Sequence, residues 1–415
     1  GSIPSSVSVS SGVQTIYSTQ YAFAALKTDG SVQAWGDSSR GGNDPGINSG
    51  VQTIFSNEHA FAALKTDGSV VTWGASGYGG NDPGITSGVV TIFSNNNAFA
   101  ALKTDGSVQV WGNSGFGGTD PGITSGVVTI FSTSYAFAAL KTDGSVVTWG
   151  ASGYGGCDSG SGNYYYTCKP SDLANVQTIF STRGAFAALK TDGSVVTWGG
   201  SSHGGSNPGI TSGVVTIFSN NFAFAALKTD GSVVTWGASG YGGNDPGITS
   251  GVVTIFSNNN AFAALKTDGS VQVWGNSGFG GTDPGITSGV VTIFSTSYAF
   301  AALKTDGSVQ AWGYSNYGGT DPGITSGVET VFSTYYVFAA LIACLPGAYK
   351  DGDRCVECSI GKHQSEPYQL QCKTCPAGTF QPSAGETRCL TCPDGFTAES
   401  GAGACSLYSF SNLPR

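Results

Sequence analysis

Eight of the ten cysteines fall in the last 72 residues, as Cys344, Cys355, Cys358, Cys372, Cys375, Cys389, Cys392 and Cys405. C-x-x-C pairs alternate there with loops of 10 to 13 residues. Thiols at this spacing serve one of two chemistries: thiolates holding zinc, or oxidised pairs stapling short loops. Their density points to an oxidising compartment. The other two, Cys157 and Cys168, bracket the ten residues DSGSGNYYYT. They read as a local disulfide, worth up to about 3 kcal/mol by loop closure. Such a staple offers Tyr164, Tyr165 and Tyr166 as a rigid aromatic contact. The alternative is a loop that folds its tyrosines back over the rest of the domain.

Other reactive groups are sparse. The three histidines, His59, His203 and His363, stand in no nucleophile arrangement. Eight aspartates recur in Thr-Asp-Gly turns, where making the turn already accounts for them, and no D-x-D-x-D-G calcium loop occurs. No Gly-rich stretch sits between a strand and a helix to cradle phosphate. An enzyme, a cofactor and a bound metal are therefore not expected. A net charge of −9 argues against nucleic acid, since no basic patch exists to neutralise phosphates. No apolar run approaches the length of a membrane span.

The elements that must position these groups are read best at Ala60–Gly74, AFAALKTDGSVVTWG. Two strand-like runs flank Asp67-Gly68, a strong hairpin signal whose favoured turn has positive φ at both central residues. VQTIF at 51–55 adds a strand before the hairpin. Behind it comes a Gly-rich loop with the tight turn Asp82-Pro83-Gly84. Phe61 and Ala63 point to one face, Ala62 and Leu64 to the other, and all four are apolar or small. A sheet buried on both faces suits blades sandwiched between blades.

This unit repeats. Tryptophans stand at 35, 73, 111, 149, 198, 236, 274 and 312, steps of 38 residues broken once by a step of 49 at the Cys157–Cys168 insertion. A fixed period of this size means a propeller, solenoid or array. KTDGSV occurs eight times, while the first run and the FAAL run occur nine times, so the ninth unit stops before its tryptophan strand. Residues 6–10 are candidates for a strand that completes it and closes a ring. The expected fold is all-β: a β-propeller of eight or nine three-stranded blades over 1–343, then a small disulfide-rich module over 344–415. Residues 60–146 and 223–309 are identical over 87 positions. Copies that alike are poor places for a unique catalytic constellation and good places to present one surface many times.

ALKTDGSVVTWGASGYGG resembles the repeat of the regulator-of-chromosome-condensation superfamily. The 38-residue period is more similar to its short-repeat branch, which includes the bacterial β-lactamase-inhibitor propeller. The resemblance covers roughly residues 10–343 and implies the propeller; fold alone does not carry function. The shorter period, the pI of 4.7 and the cysteines set the chain apart from nuclear nucleotide-exchange members. CLPGAYKDGDRCVEC and CKTCPAGTFQPSAGETRCLTC resemble the cysteine-rich repeats of ephrin receptors and tumour-necrosis-factor-receptor-like modules. That resemblance implies an extracellular rod of stapled loops and favours disulfides over zinc. Sequential pairing, 344–355, 358–372, 375–389 and 392–405, is the preferred one of 105 connectivities.

Two sets of loop positions vary while the strands stay constant. The first lies between strands one and two and includes Tyr21, His59, Tyr135, Arg183, Phe222, Tyr298, Tyr335 and Tyr336. The second follows the tryptophan: Arg40, Tyr78, Phe116, Tyr154, His203, Tyr241, Phe279 and Tyr317. The second set is expected to pack between blades, and the first to be the contact surface. The chain opens on Gly1 and holds no Met, so a secretory signal removed upstream is expected. Ser/Thr-rich loops leave O-linked sugar open. Low charge, at 10% of residues, and near-identical repeats point to an extracellular structural protein that assembles with itself into a filament, coat or matrix. The alternative is a secreted binding propeller: an adhesin, a lectin-like module or an inhibitor, meeting glycans or another surface protein.

Overall fold

The computed structural model describes residues 12–157, 173–342, 344, 346–351, 354–367 and 369–407. Among them are eight three-stranded antiparallel sheets, a two-stranded ninth sheet and four two-stranded ribbons. The expected all-β class, three-stranded blades followed by a disulfide-rich module, is what the chain adopts. Residues 6–10, the candidate closing strand, lie outside the described residues. The chain forms two compact units, Gly1–Ile255 and Phe256–Arg415. Blades 1 to 6 belong to the first, and blades 8 and 9 with the module belong to the second. The boundary falls inside the first strand of blade 7, Val252–Ser257.

Blade 2 shows the build. Its strands are Val51–Ser56, Ala60–Lys65 and Val70–Gly74. The second pairs with both neighbours, setting Phe61 opposite Trp73 and Ala63 opposite Ile54. The Phe61 and Trp73 rings stack at 5.0 Å, a cross-strand aromatic pair that pins the register.

The hairpin turn differs from the sequence expectation. Gly68 has φ +78°, but Asp67 does not enter the positive-φ region. The Gly68 amide donates to the Lys65 carbonyl and the Lys65 amide to the Ser69 carbonyl, both at 2.9 Å. This is a type I turn closed by a left-handed glycine, the three-residue hairpin solution. The reason is local. The Asp67 carboxylate accepts from the Ser69 amide at 2.9 Å and the Ser69 hydroxyl at 2.6 Å, which holds the aspartate in the ordinary turn conformation.

Blades pack by a parity rule. Ala60, Ala62 and Leu64 of blade 2, with Val70 and Ile85, meet Ile92, Phe99, Ala101 and Trp111 of blade 3. One face of a second strand thus covers the opposite face of the next. The Trp111 indole N–H donates back to the Gly79 carbonyl at 3.2 Å, and Trp73 does the same to Gly41 at 3.1 Å. Gly79 must lack a side chain, because a Cβ there would come within 2.6 Å of the Phe99 ring. Burying such aromatics completely is the main source of stability, since each removes a large apolar area from water.

Blade 9 consists of Val328–Ser333 and Phe338–Ile342, with no third strand among the described residues. Its outward face is exposed. Val337 is 53% exposed and Leu341 45%, where the equivalent Ala60 and Leu64 are 0% and 2%. In the module, four disulfides join Cys344 to Cys355, Cys358 to Cys372, Cys375 to Cys389 and Cys392 to Cys405. Each spans a ribbon too short to hold itself. Two buried glutamines repeat the same bracing: Gln364 Nε2 donates to the Gln371 carbonyl at 2.8 Å, and Gln381 Nε2 to the Arg388 carbonyl at 2.7 Å.

Candidate functional site

The two variable sets, distinct in sequence, meet in space. What joins them is a residue that precedes the first set by two positions. Asn57, buried between the loops, accepts at Oδ1 from the His59 and Ala60 amides, both at 2.8 Å. Its Nδ2 donates to the Tyr78 carbonyl at 2.7 Å, at the end of the short helix Ser76–Tyr78. The strand-one-to-two turn and the post-tryptophan loop are thereby tied side by side. Asn95 and Asn220 make the same bonds, to the Phe116 and Tyr241 carbonyls. Thr133 and Thr182 use a hydroxyl, donating to the carbonyls of Tyr154 and His203. Sequence reasoning missed this clamp. Its signal was an Asn or Thr at that place in every unit.

The clamp interleaves the two sets into a file of rings within each compact unit. In the first unit the Arg40 guanidinium lies 5.4 Å over the ring of Tyr21 and hydrogen-bonds to His59 Nδ1. His59 packs on Tyr78 at 4.3 Å. Buried Asn97 interrupts the rings, and the file resumes with Phe116, Tyr135 and Tyr154 at 4.7 and 4.6 Å. His203 lies 6.4 Å from Tyr154 and 5.2 Å from Phe222, which packs on Tyr241 at 4.4 Å. In the second unit Phe279, Tyr298, Tyr317 and Tyr336 make a file of their own at 4.8, 4.6 and 5.0 Å. Tyr335 and Tyr336 end the file exposed, edge to face at 4.7 Å.

Arg183 stands outside the file, exposed, and Gly184 holds the ring position beside it. A Cβ at Gly184 would approach the His203 ring to 2.9 Å, so the imidazole needs that vacancy in the sequence. Tyr164, Tyr165, Tyr166 and Cys168 lie outside the described residues, while Cys157 Sγ is 3.2 Å from the Thr148 hydroxyl.

Electrostatically the file is quiet. Burial, then the Arg40 charge, pushes the His59 imidazole below its ordinary range, against the opposing pull of Glu58 at 3.8 Å. Burial and Arg183 do the same to His203. Burial pushes the Tyr298 phenol up, and a hydrogen bond with Tyr335 adds to it. Both imidazoles are therefore neutral at neutral pH; the Ser202 hydroxyl lies 3.0 Å from His203 Nδ1. His363 Nδ1 lies 3.0 Å from Cys389 Sγ, with Cys375 nearby. Those two sulfurs are spent in a disulfide, which leaves His363 as a lone ligand. The arrangement can stack and make contact.

Residues 369–406 match the family described as tyrosine-protein kinase ephrin type A/B receptor-like, in line with the resemblance read from the cysteine spacing. No curated protein matches the chain. Among solved structures it is similar to the CRINKLY WD40 ectodomain of the Arabidopsis thaliana receptor kinase ACR4, at 17% identity over 63% of this chain and 95% of that one, with a TM-score of 0.37. The entire ectodomain of the Physcomitrella patens receptor kinase CR4 is similar at 15% identity over 88% and 94%, TM-score 0.37. Prp20p from Saccharomyces cerevisiae is similar at 15% identity over 64% and 85%, TM-score 0.37. At these TM-scores the likenesses carry no argument about activity or partners.

Proposed function

We propose that this is an extracellular structural protein that associates with copies of itself through the exposed face of its ninth blade. The observation behind this reading is the exposure there of Val337, Leu341 and Phe332, the last at 60%, where the equivalent Ala60 and Leu64 are buried and Phe55 is half-buried. Apolar area of this kind, left in water, is the usual mark of an association surface. Four disulfides suit an oxidising exterior, and the 10% content of charged residues leaves little repulsion between copies. The test is electron microscopy of native material under non-reducing conditions, with sedimentation across a concentration series. Ordered polymers that Leu341→Asp reduces to monomers support the reading. Isolated particles at all concentrations defeat it.

A second reading, a secreted binding module, is favoured by one observation: Tyr314, Tyr335 and Tyr336 are exposed together at the end of the ring file. Tyrosines so clustered give rigid, amphipathic contact area for a glycan or a protein. Glycan-array screening of the native protein against a Tyr335→Ala, Tyr336→Ala variant separates the two. Specific capture that the variant loses supports binding, and an unaltered polymer with no capture excludes it.

A further inference from the structure

Where blade 9 meets blade 8 there is a cavity of about 230 Å³, lined by Ala301, Val309, Gly318, Pro322, Phe338 and Ala340 among others. Between earlier blades that place is filled. Trp312 of blade 8 packs with Ala261, Val271 and Ile286, stacks on Phe300 at 5.3 Å, and donates its indole N–H to the Gly280 carbonyl at 3.2 Å. Phe338 and Gly318 are the blade 9 equivalents of Phe300 and Gly280, one period of 38 residues later. The apolar cluster joining blades 8 and 9 contains no tryptophan. The cavity is the slot for an indole that blade 9 does not supply.

The strand edge beside the slot is open as well among the described residues. In blade 8 the second strand pairs on one side with the first and on the other with the third, Phe300 opposite Trp312 and Leu303 opposite Val309. In blade 9, Phe338–Ile342 pairs, among the described residues, only with Val328–Ser333, Ala340 opposite Val331. An open backbone edge next to an apolar pocket is the arrangement used in β-strand addition, where the edge supplies affinity and the pocket specificity.

We infer that the unfinished ninth blade is an acceptor for an extended, tryptophan-bearing segment of a partner protein. The segment adds as the third strand along Phe338–Ile342 and seats its indole on Phe338, its N–H on the Gly318 carbonyl. The chain's own third strands define the chemistry it must carry: Ser-Val-Val-Thr-Trp-Gly at 69–74 and Ser-Val-Gln-Val-Trp-Gly at 107–112. This goes beyond self-association, because it uses the edge and slot of blade 9, which Val337 also borders, and not the outward face at Leu341.

The test is titration of the full chain with a labelled peptide, Ser-Val-Val-Thr-Trp-Gly, and with the same peptide carrying serine for tryptophan. Expected is saturable binding of one peptide per chain, at least tenfold weaker for the serine peptide. Binding is lost in Ala340→Phe, which fills the slot, and retained in Leu341→Asp, which alters only the other face. No binding, equal binding of both peptides, or full binding by Ala340→Phe overturns the inference. Binding that emerges only after removal of residues 1–11 also overturns it, in favour of the chain's own N-terminal segment as occupant. Loss of polymers in Leu341→Asp with intact peptide binding shows that the two proposals stand or fall separately.

Discussion

The side-chain amide of Asn57 donates to the carbonyl of Tyr78 at 2.7 Å while its oxygen accepts from two backbone amides of the neighbouring turn. One buried side chain thus satisfies three backbone groups and sets His59 against Tyr78. Asn57→Ala leaves those groups unpaired and is expected to destabilise by about 1–3 kcal/mol. Asn57→Thr is expected to recover most of the loss, because Thr133 does the same work in blade 4 with a hydroxyl. Hydrogen exchange across blade 2 reads both. Equal protection in the alanine variant would remove the clamp from the account.

Glycines in the long loop divide into two kinds. Gly41 has φ +95°, and a Cβ there would sit 2.7 Å from the Phe61 ring. Gly77 has ordinary φ and nothing within 4 Å. Gly41→Ala is therefore expected to lower the melting temperature, through backbone strain and displaced aromatic packing. Gly77→Ala is expected to leave it level or raise it slightly. Paired calorimetric scans decide, and the reverse order refutes the packing described between blades 1 and 2.

Asn175 has φ +57°, the one positive value away from glycine among the described residues. It stands where other units carry Gly50 or Gly88, whose φ is +81°. Asn175→Gly is expected to be neutral within about 0.5 kcal/mol, and Asn175→Val to cost about 1–2 kcal/mol because a β-branched residue resists this region. Chemical denaturation of the two variants makes the comparison.

Acid should weaken the blades in two stages. His59 and His203 are held below their ordinary values by burial, so the unfolded chain binds protons more readily. Their contribution is present above about pH 6.5 and is lost as pH falls from there through their folded values. The turn aspartates, Asp67 and its equivalents, are also lowered, chiefly by the hydroxyl of the serine two residues on. Their contribution is present above about pH 4 and is lost below it. Melting temperature measured against pH should be level above neutrality, dip slightly near pH 6 and fall further below about pH 4. Ser69→Ala together with Ser107→Ala should shrink the second fall.

Reduction should act on one part of the chain. The module's ribbons that follow Glu357 are two residues long in each strand, so their loops depend on the disulfides. Each bridge closes 11 to 14 residues, worth about 3 kcal/mol in the unfolded-chain model. With reductant, hydrogen exchange is expected to rise throughout 346–407 while the second strands of the blades stay protected. Loss of protection in the blades as well would make the module part of their stability.

Much of this protein was decided by sequence alone. The 38-residue period, the three strands per unit, the unfinished ninth unit and the stapled tail all follow from local pattern, because strand alternation, turn residues and cysteine spacing act over a few positions. Other features needed the tertiary structure. The two variable sets alternate every 19 residues, as in His59, Tyr78 and Asn97, yet nothing in the chain says that loops so far apart touch. They touch because Asn57 and its equivalents find their carbonyl partners across loops 21 residues distant. Likewise, the truncated ninth unit was plain in the sequence, but not that its missing tryptophan leaves a slot beside an open edge. Packing between blades decides which groups go unpaired, and that depends on neighbours the chain reaches only after it has folded.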